Sequence, residues 1–153
     1  FEAGRSVLLL YNKWDLVEKD SKTADKFKKE ILETLAPIDY LPIIFASVLT
    51  KQRIFQVIEK TVQVYANKTK KIPTAKLNDV MLPEIESHPP PSVKGKMIHI
   101  KYITQVNARF PSFVFFCNLP QYIQPSYERF LENKLRDNFD FEGVPLRLIF
   151  RKK

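Results

Sequence analysis

Asn12-Lys13-Trp14-Asp15 is the stretch of this sequence whose residue types could hold a nucleobase. A guanine base presents a ring N–H and an exocyclic amine side by side, and one fixed carboxylate accepts from both. A base that leaves a buried carboxylate unpaired loses free energy, so the carboxylate selects guanine over adenine. Asp15 has the chemistry for that role. Asn12 can donate its amide to the far edge of the base or brace a neighbouring loop. The aliphatic stem of Lys13 can lie across the base plane, with its ammonium near the ribose. Trp14 need supply only backbone and packing. An ordinary polar turn after a strand uses the same residue types, so the tetrad takes its meaning from its surroundings.

Those surroundings read as an α/β unit. Residues 6–11 (SVLLLY) are a short apolar run, expected to be a strand buried on both faces of a parallel sheet. A polar stretch follows. Phe27, Ile31 and Leu35, spaced four apart, then mark a helix that should stop at Pro37. Residues 42–46 (PIIFA) read as a second buried strand. After Ser47 comes a longer helix with Ile54, Val57, Ile58, Val62 and Tyr65 on one face. Strand, helix, strand, helix argues for a parallel sheet with covering helices. In such sheets ligands sit beyond the carboxyl ends of the strands. The tetrad lies at one such end and Ser47 at the next. A backbone N–H at Ser47 or Val48 is placed to reach the guanine carbonyl oxygen.

The lysine-rich residues 68–73 (KTKKIP) read as a linker, although lysines at a helix C-terminus also suit the helix dipole. Beyond them the sequence reads helix, strand, strand, helix, strand. Thr74 is expected to cap a helix with Leu77, Val80, Met81 and Ile85 on its face, which Pro83 should kink or shorten. His88-Pro89-Pro90-Pro91 is a stiff extended connector. Residues 96–106 alternate, placing Ile98, Ile100, Tyr102 and Val106 on one face; residues 112–117 (SFVFFC) are more apolar throughout. Pro125 opens a helix faced by Tyr127, Phe130, Leu131 and Leu135. Leu146, Leu148 and Phe150 alternate with Arg147, Ile149 and Arg151 in a last strand. The fold class is thus α/β followed by α+β, with units at residues 1–70 and 71–153.

Composition narrows the functional classes. The 153 residues are 44% hydrophobic and 27% charged, enough for packed cores. One cysteine, Cys117, makes no internal disulfide and fits a reducing, cytoplasmic setting. With His88 and His99 it makes no metal-ligand cluster. No apolar run is long enough to span a bilayer, so no membrane partner is expected. Phe1 is not a natural start, and upstream sequence is expected. The formal charge of +8 suits polyanions such as RNA. Residues 1–71 and 72–153 each contribute +4, so charge alone marks no binding face.

Taken together, several motifs in order resemble the Der or EngA family of tandem-domain GTPases. They are Glu2-Ala3-Gly4-Arg5, residues 12–16 (NKWDL), residues 47–51 (SVLTK), the proline connector, residues 102–106, 113–120 and 127–133, and residues 141–151 beginning FEGVP. Members of that family have two consecutive GTPase domains and a C-terminal domain similar to KH RNA-binding domains. The resemblance implies a partial P-loop-type GTPase domain joined to a KH-like domain. It implies guanine reading by Asn12, Lys13 and Asp15, completed by Ser47 and Val48. It also implies GTP or GDP as ligand in a longer protein, with Mg2+ at a phosphate site outside these residues. The role implied is GTP-dependent assembly of the large ribosomal subunit, in a bacterial cytoplasm or an organelle. The implied partners are that subunit or its RNA, and the remaining GTPase domains. Val48 replaces the family's usual alanine and is expected to crowd the base. Lys51 replaces a glycine and should alter the turn. Pro83 interrupts a helix the family keeps intact.

Other elements of GTP chemistry are missing from these residues. No GxxxxGK[ST] loop occurs; Gly95-Lys96 has Pro90 in place of the first glycine and is followed by Met97. Asp140-Phe141-Glu142-Gly143 matches the DxxG pattern of a switch, but it follows the guanine loop and reads as a turn. This chain alone is therefore expected to bind nucleotide very weakly or not at all and not to hydrolyse it. With three glycines in all, there is no GxxG clamp of an ordinary KH domain either. Any RNA contact must use other cations: Lys94, Lys96, Lys101, Arg147 and Arg151, then Lys152 and Lys153. As single residues these read more readily as solvated charge than as RNA contacts. Phe113, Phe115, Phe116, Tyr127 and Phe130 read as core rather than base-stacking platform, and Cys117 as a small core residue. Three readings stay open: part of an enzyme, a stand-alone RNA- or ribosome-binding module, and a structural domain relaying nucleotide state without touching RNA.

Overall fold

Two separate sheets carry the chain. The computed structural model describes residues 4–18, 20, 22–36 and 38–153. Pro37, expected to stop a helix, and Glu2-Ala3, the start of the family match, lie outside them.

The first sheet pairs β1 (Leu9–Tyr11) in parallel with β2 (Ile43–Phe45), Leu9 opposite Ile43 and Tyr11 opposite Phe45. Between them runs α1 (Thr23–Leu35). Its start is fixed locally: the Asp20 carboxylate accepts from the Lys22 N–H and the Thr23 hydroxyl, and Thr23 Oγ1 accepts from the Asp20 N–H. After β2 comes α2 (Ile54–Thr69). Strand, helix, strand, helix is the order expected.

Burial in this half differs from expectation. Leu10 and Tyr11 are exposed, so β1 is not buried on both faces. The expected inner face of α2 is open too: Ile58, Val62 and Tyr65 are more than half exposed, and so is Phe55. The buried residues of α2 are Val64 and Asn67 instead. The physical reason is size. Two three-residue strands are too small a surface to cover both helices.

The second sheet has the order β3 (Ile100–Val106), β4 (Ser112–Cys117), β5 (Arg147–Lys152). β3 and β4 are antiparallel, β4 and β5 parallel. α3 (Thr74–Ser87) precedes β3, and α4 (Pro125–Phe139) makes the crossover between β4 and β5. Both helices feed one core with the sheet: Leu77, Met81 and Ile85 of α3, Leu131 and Leu135 of α4, and Ile103, Phe113 and Phe115 of the strands. This is the α-β-β-α-β order read from the sequence. Asn78 closes the free edge of β3. Its side-chain amide donates to the Ile103 carbonyl and accepts the Ile103 N–H, each at 2.8 Å, where a fourth strand would otherwise bond.

Three local expectations are corrected. Thr74 is the first residue of α3, not its cap; Pro73 holds the cap position without a side-chain bond. Pro83 does not shorten α3, which continues to Ser87, where the Ser87 hydroxyl donates to the Pro83 carbonyl. Ile100 and Tyr102 do not share a face. A bulge between them shifts the register, so Ile103 enters the core while Tyr102 stacks on Phe116 across the outer surface.

The two halves meet at residues 139–144, the turn between α4 and β5. Gly143 donates to the Tyr40 carbonyl (2.8 Å) and accepts from the Val7 N–H (2.9 Å). It thereby ties together the segments that lead into β1 and β2. Lys60 of α2 pairs with Glu142 at 2.9 Å, and Lys70 donates to the carbonyls of Phe139 and Asp140. The Arg136 guanidinium donates to the Phe141 and Val144 carbonyls and lies 3.5 Å from the centre of the Tyr40 ring.

Candidate functional site

The guanine-type loops stand side by side at the carboxyl ends of β1 and β2. Their spacing is set by main-chain bonds: Ala46 N–H to the Tyr11 carbonyl (2.9 Å) and Trp14 N–H to the Ala46 carbonyl (3.1 Å). Lys13 takes the left-handed conformation (φ 60°), which turns the chain sharply out of β1 into a 3-10 turn at Trp14–Leu16. Trp14 anchors that turn. It is 3% exposed and packs against Phe45 at 4.5 Å and Phe27 at 5.7 Å between ring centres. The sequence asks of Trp14 only backbone and packing, and here it contributes the N–H bond to Ala46 and these ring contacts.

With Trp14 inward, its neighbour Asp15 is half-buried. Asn12 and Lys13 are exposed. Asn12 Oδ1 accepts the Val48 N–H at 3.2 Å, so it braces the second loop. Its amide nitrogen makes no bond among the described residues and stays available to a base edge. Asp15 Oδ1 is shielded from water yet has no hydrogen-bond partner among the described residues. A buried carboxylate oxygen in that condition costs free energy unless a donor reaches it. The paired N–H donors of guanine are a matching ligand, so the residues present fit the base.

The second loop is tightly wound. Ser47 is fully buried; its N–H donates to the Gln52 carbonyl at 3.2 Å and its hydroxyl accepts the Thr50 N–H at 3.2 Å. Arg53 Nη1 donates to the Phe45 carbonyl at 3.2 Å. Sequence reasoning missed Gln52 and Arg53, because a carbonyl partner leaves no residue-type signal. The expected free N–H at Ser47 is not free, and that of Val48 is engaged by Asn12. Reaching a guanine carbonyl requires Val48 to share its N–H between Asn12 and the base. The Val48 side chain is 59% exposed. Lys51 sits at φ 58°, the conformation a glycine adopts without strain.

The RNA candidates are distributed over the second unit, with Lys101 and Arg151 at the same end of its sheet: Tyr102, next to Lys101, lies opposite Phe116, and Phe116 opposite Arg151. Lys94 and Lys96 lie in the tight loop closed by the Val93–Lys96 bridge. Lys101 falls at the β3 bulge. Arg147 and Arg151 sit at opposite ends of β5, Arg147 over the Phe110 ring at 5.1 Å. Phe113 and Phe115 are fully buried and Tyr127 is 7% exposed, all in the core as expected; Phe116 lies on the outer surface instead. Cys117 is fully buried, and burial pushes its thiol pKa up, which suits a packing residue. Among the described residues no cluster could hold a metal ion, and no helix is long and apolar enough to cross a membrane.

Comparison with known proteins now decides the relationship. Residues 71–151 match a family model described as the KH-domain-like C-terminal domain of EngA bacterial GTPase enzymes. The chain belongs to the EngA (Der) family. It is 56% identical over 149 residues to the GTPase Der of Cytophaga hutchinsonii, covering 97% of this chain and 34% of that relative. The GTPase Der of Amoebophilus asiaticus is 57% identical with the same coverage, and that of Christiangramia forsetii 51%. The chain thus spans about a third of the length of the curated relatives it matches. The mixed α/β architecture, a small parallel sheet followed by a KH-like unit, is that of the C-terminal part of an EngA protein.

Proposed function

We propose that this chain is the guanine-reading end and C-terminal domain of an enzyme that hydrolyses GTP during assembly of the large ribosomal subunit. The observation that carries the reading is the partnerless buried oxygen of Asp15, held beside Asn12 at the carboxyl ends of two parallel strands. The relatives named GTPase Der support the GTPase part. Asn12, Lys13, Asp15 and the N–H of Val48, shared with Asn12, are the proposed guanine contacts, with Trp14 as anchor and Ser47 holding the second loop in shape through its bonds to Gln52 and Thr50. GTP or GDP is the proposed ligand of the longer protein. Mg2+ belongs with its phosphates, for which these 153 residues hold no loop of the required pattern. The chain alone is therefore proposed to be inactive.

The C-terminal unit is the part proposed to touch the large subunit or its RNA, in the cytoplasm or an organellar matrix. A second role is compatible with the first. The bonds of Gly143 to Val7 and Tyr40 join this unit to both guanine-loop strands, which favours a structural relay to the GTPase half. Co-sedimentation of the chain with purified large ribosomal subunits tests the ribosomal assignment. Binding that survives moderate salt supports it. Binding lost with modest salt marks a merely non-specific basic surface and contradicts it.

A further inference from the structure

The linker lysines, which nothing in the guanine site uses, open onto a cavity. It has a volume of about 360 Å³ and lies where α2 ends and the β3–β4 turn begins. That size is within the range of small-ligand sites. Lys68, Lys70, Lys71 and Arg109 line it, together with the amides of Gln105 and Asn107, and no carboxylate is present in its walls.

Two of these groups have structural work. Lys70 holds the Phe139 and Asp140 carbonyls. Gln105 accepts the Ile72 N–H at 2.7 Å and donates to the Lys70 carbonyl at 2.8 Å, which pins the linker to β3. Lys68, Lys71 and Arg109 make no hydrogen bond or ion pair among the described residues. Asn107 likewise spends no side-chain bond. Three uncommitted cations from two separate segments thus border one opening, beside a linker that Gln105 holds to β3. The C-terminal carbonyls of α2 are the opposing charge nearby, and the Thr69 hydroxyl already donates to the carbonyls of Tyr65 and Ala66. Phe110 forms part of the wall, and Arg147 lies over its ring at 5.1 Å.

We propose that this junction cavity binds consecutive backbone phosphates of an RNA strand, with Lys68, Lys71 and Arg109 as the phosphate ligands. Arginine and lysine supply different parts of such a site: a planar fork for one phosphate and point charges for its neighbours. The site deepens the ribosomal reading above and rests on it. It also gives that reading a location at the junction of the two halves, where occupancy bears on the linker itself.

The test uses the whole chain and a fluorescein-labelled oligouridylate, titrated by anisotropy over a range of salt. The triple variant Lys68→Gln, Lys71→Gln, Arg109→Gln is compared with a control, Lys22→Gln, Lys26→Gln, Lys28→Gln, which removes the same charge from around α1. The pocket variant is expected to bind at least about tenfold more weakly, with the logarithmic salt slope reduced by about 2, while the control changes far less. Equal losses in the two variants would overturn the site, since net charge alone would then explain binding. So would oligouridylate failing to bind while inorganic tripolyphosphate does, which would make this a small-anion pocket. Circular dichroism checks that each variant is folded, and single substitutions replace the triple if it is not. Co-sedimentation separates the two levels. If the triple variant still pellets with large subunits as the unmodified chain does, the cavity assignment fails and the ribosomal one stands. If the unmodified chain does not pellet, the ribosomal reading fails.

Discussion

At the scale of single residues, Asp15 was legible from its place in the tetrad, and the shielding of its Oδ1 was not. The sequence says that a carboxylate follows Asn12, Lys13 and Trp14; it does not say that one oxygen is buried without a donor. The neighbour of Asp15, Trp14, is buried in the aromatic cluster with Phe27 and Phe45. Lys51 is a second case. Glycine is the residue suited to its φ of 58°. Lys51→Gly should raise stability by up to about 1 kcal/mol, less whatever the freer unfolded chain takes back. Lys51→Val should lower it by more than about 1 kcal/mol. Urea unfolding of both variants measures the difference. Tyr127 gives a pH test. Burial pushes its phenol pKa up from 10.0 to about 12, and its hydroxyl donates to the His88 carbonyl at 2.8 Å. A raised folded-state pKa favours the neutral phenol in the fold. That stability is complete below pH 10 and is lost as pH rises toward about 12. The chain should lose stability across that window more steeply than Tyr127→Phe, as read by urea titrations at successive pH values.

At the scale of elements, order and type were legible and faces were only partly so. Strand, helix, strand, helix and then helix, strand, strand, helix, strand follow from periodicity and from proline punctuation. The β3 bulge defeated the alternation reading, because inserting one residue at Lys101 exchanges inner and outer faces for everything beyond it. The face of α2 was read correctly as apolar, yet Ile58, Val62 and Tyr65 on it stay more than half exposed. The turn at residues 140–143 was read correctly as a turn rather than a switch. Its use as the joint between halves was invisible, since main-chain bonds to Val7 and Tyr40 leave no mark on residue type. Gly143 shows the constraint most sharply. At φ 74°, an added Cβ would meet Val64 Cγ2 at 2.8 Å and the Val7 carbonyl at 3.0 Å. Gly143→Ala should therefore cost about 2 kcal/mol or more. Gly95→Ala has a similar φ with nothing within 4 Å of the new atom, and should cost only about 1 kcal/mol. Unfolding curves of the two variants compare the conformational cost with the added cost of the crowded joint.

At the scale of the whole molecule, the proposed reading gives this chain half of a nucleotide site. The proposed base-reading groups lie within it, while the phosphates carry most of the affinity of such ligands and these residues hold no loop of the phosphate-binding pattern. Calorimetry of the chain with GTP should show no submillimolar binding, and saturable tighter binding would contradict the division of labour argued above. The central claim is that Asp15 reads guanine. The most direct measurement is made in a longer protein of this kind that carries the rest of the GTPase domain: nucleotide preference of Asp15→Asn against the unmodified protein. The account predicts that affinity for GTP falls by at least about tenfold, while xanthosine triphosphate, whose second ring carbonyl can accept from the new amide, is spared or gains. An unchanged preference for guanine would remove Asp15 from the base site.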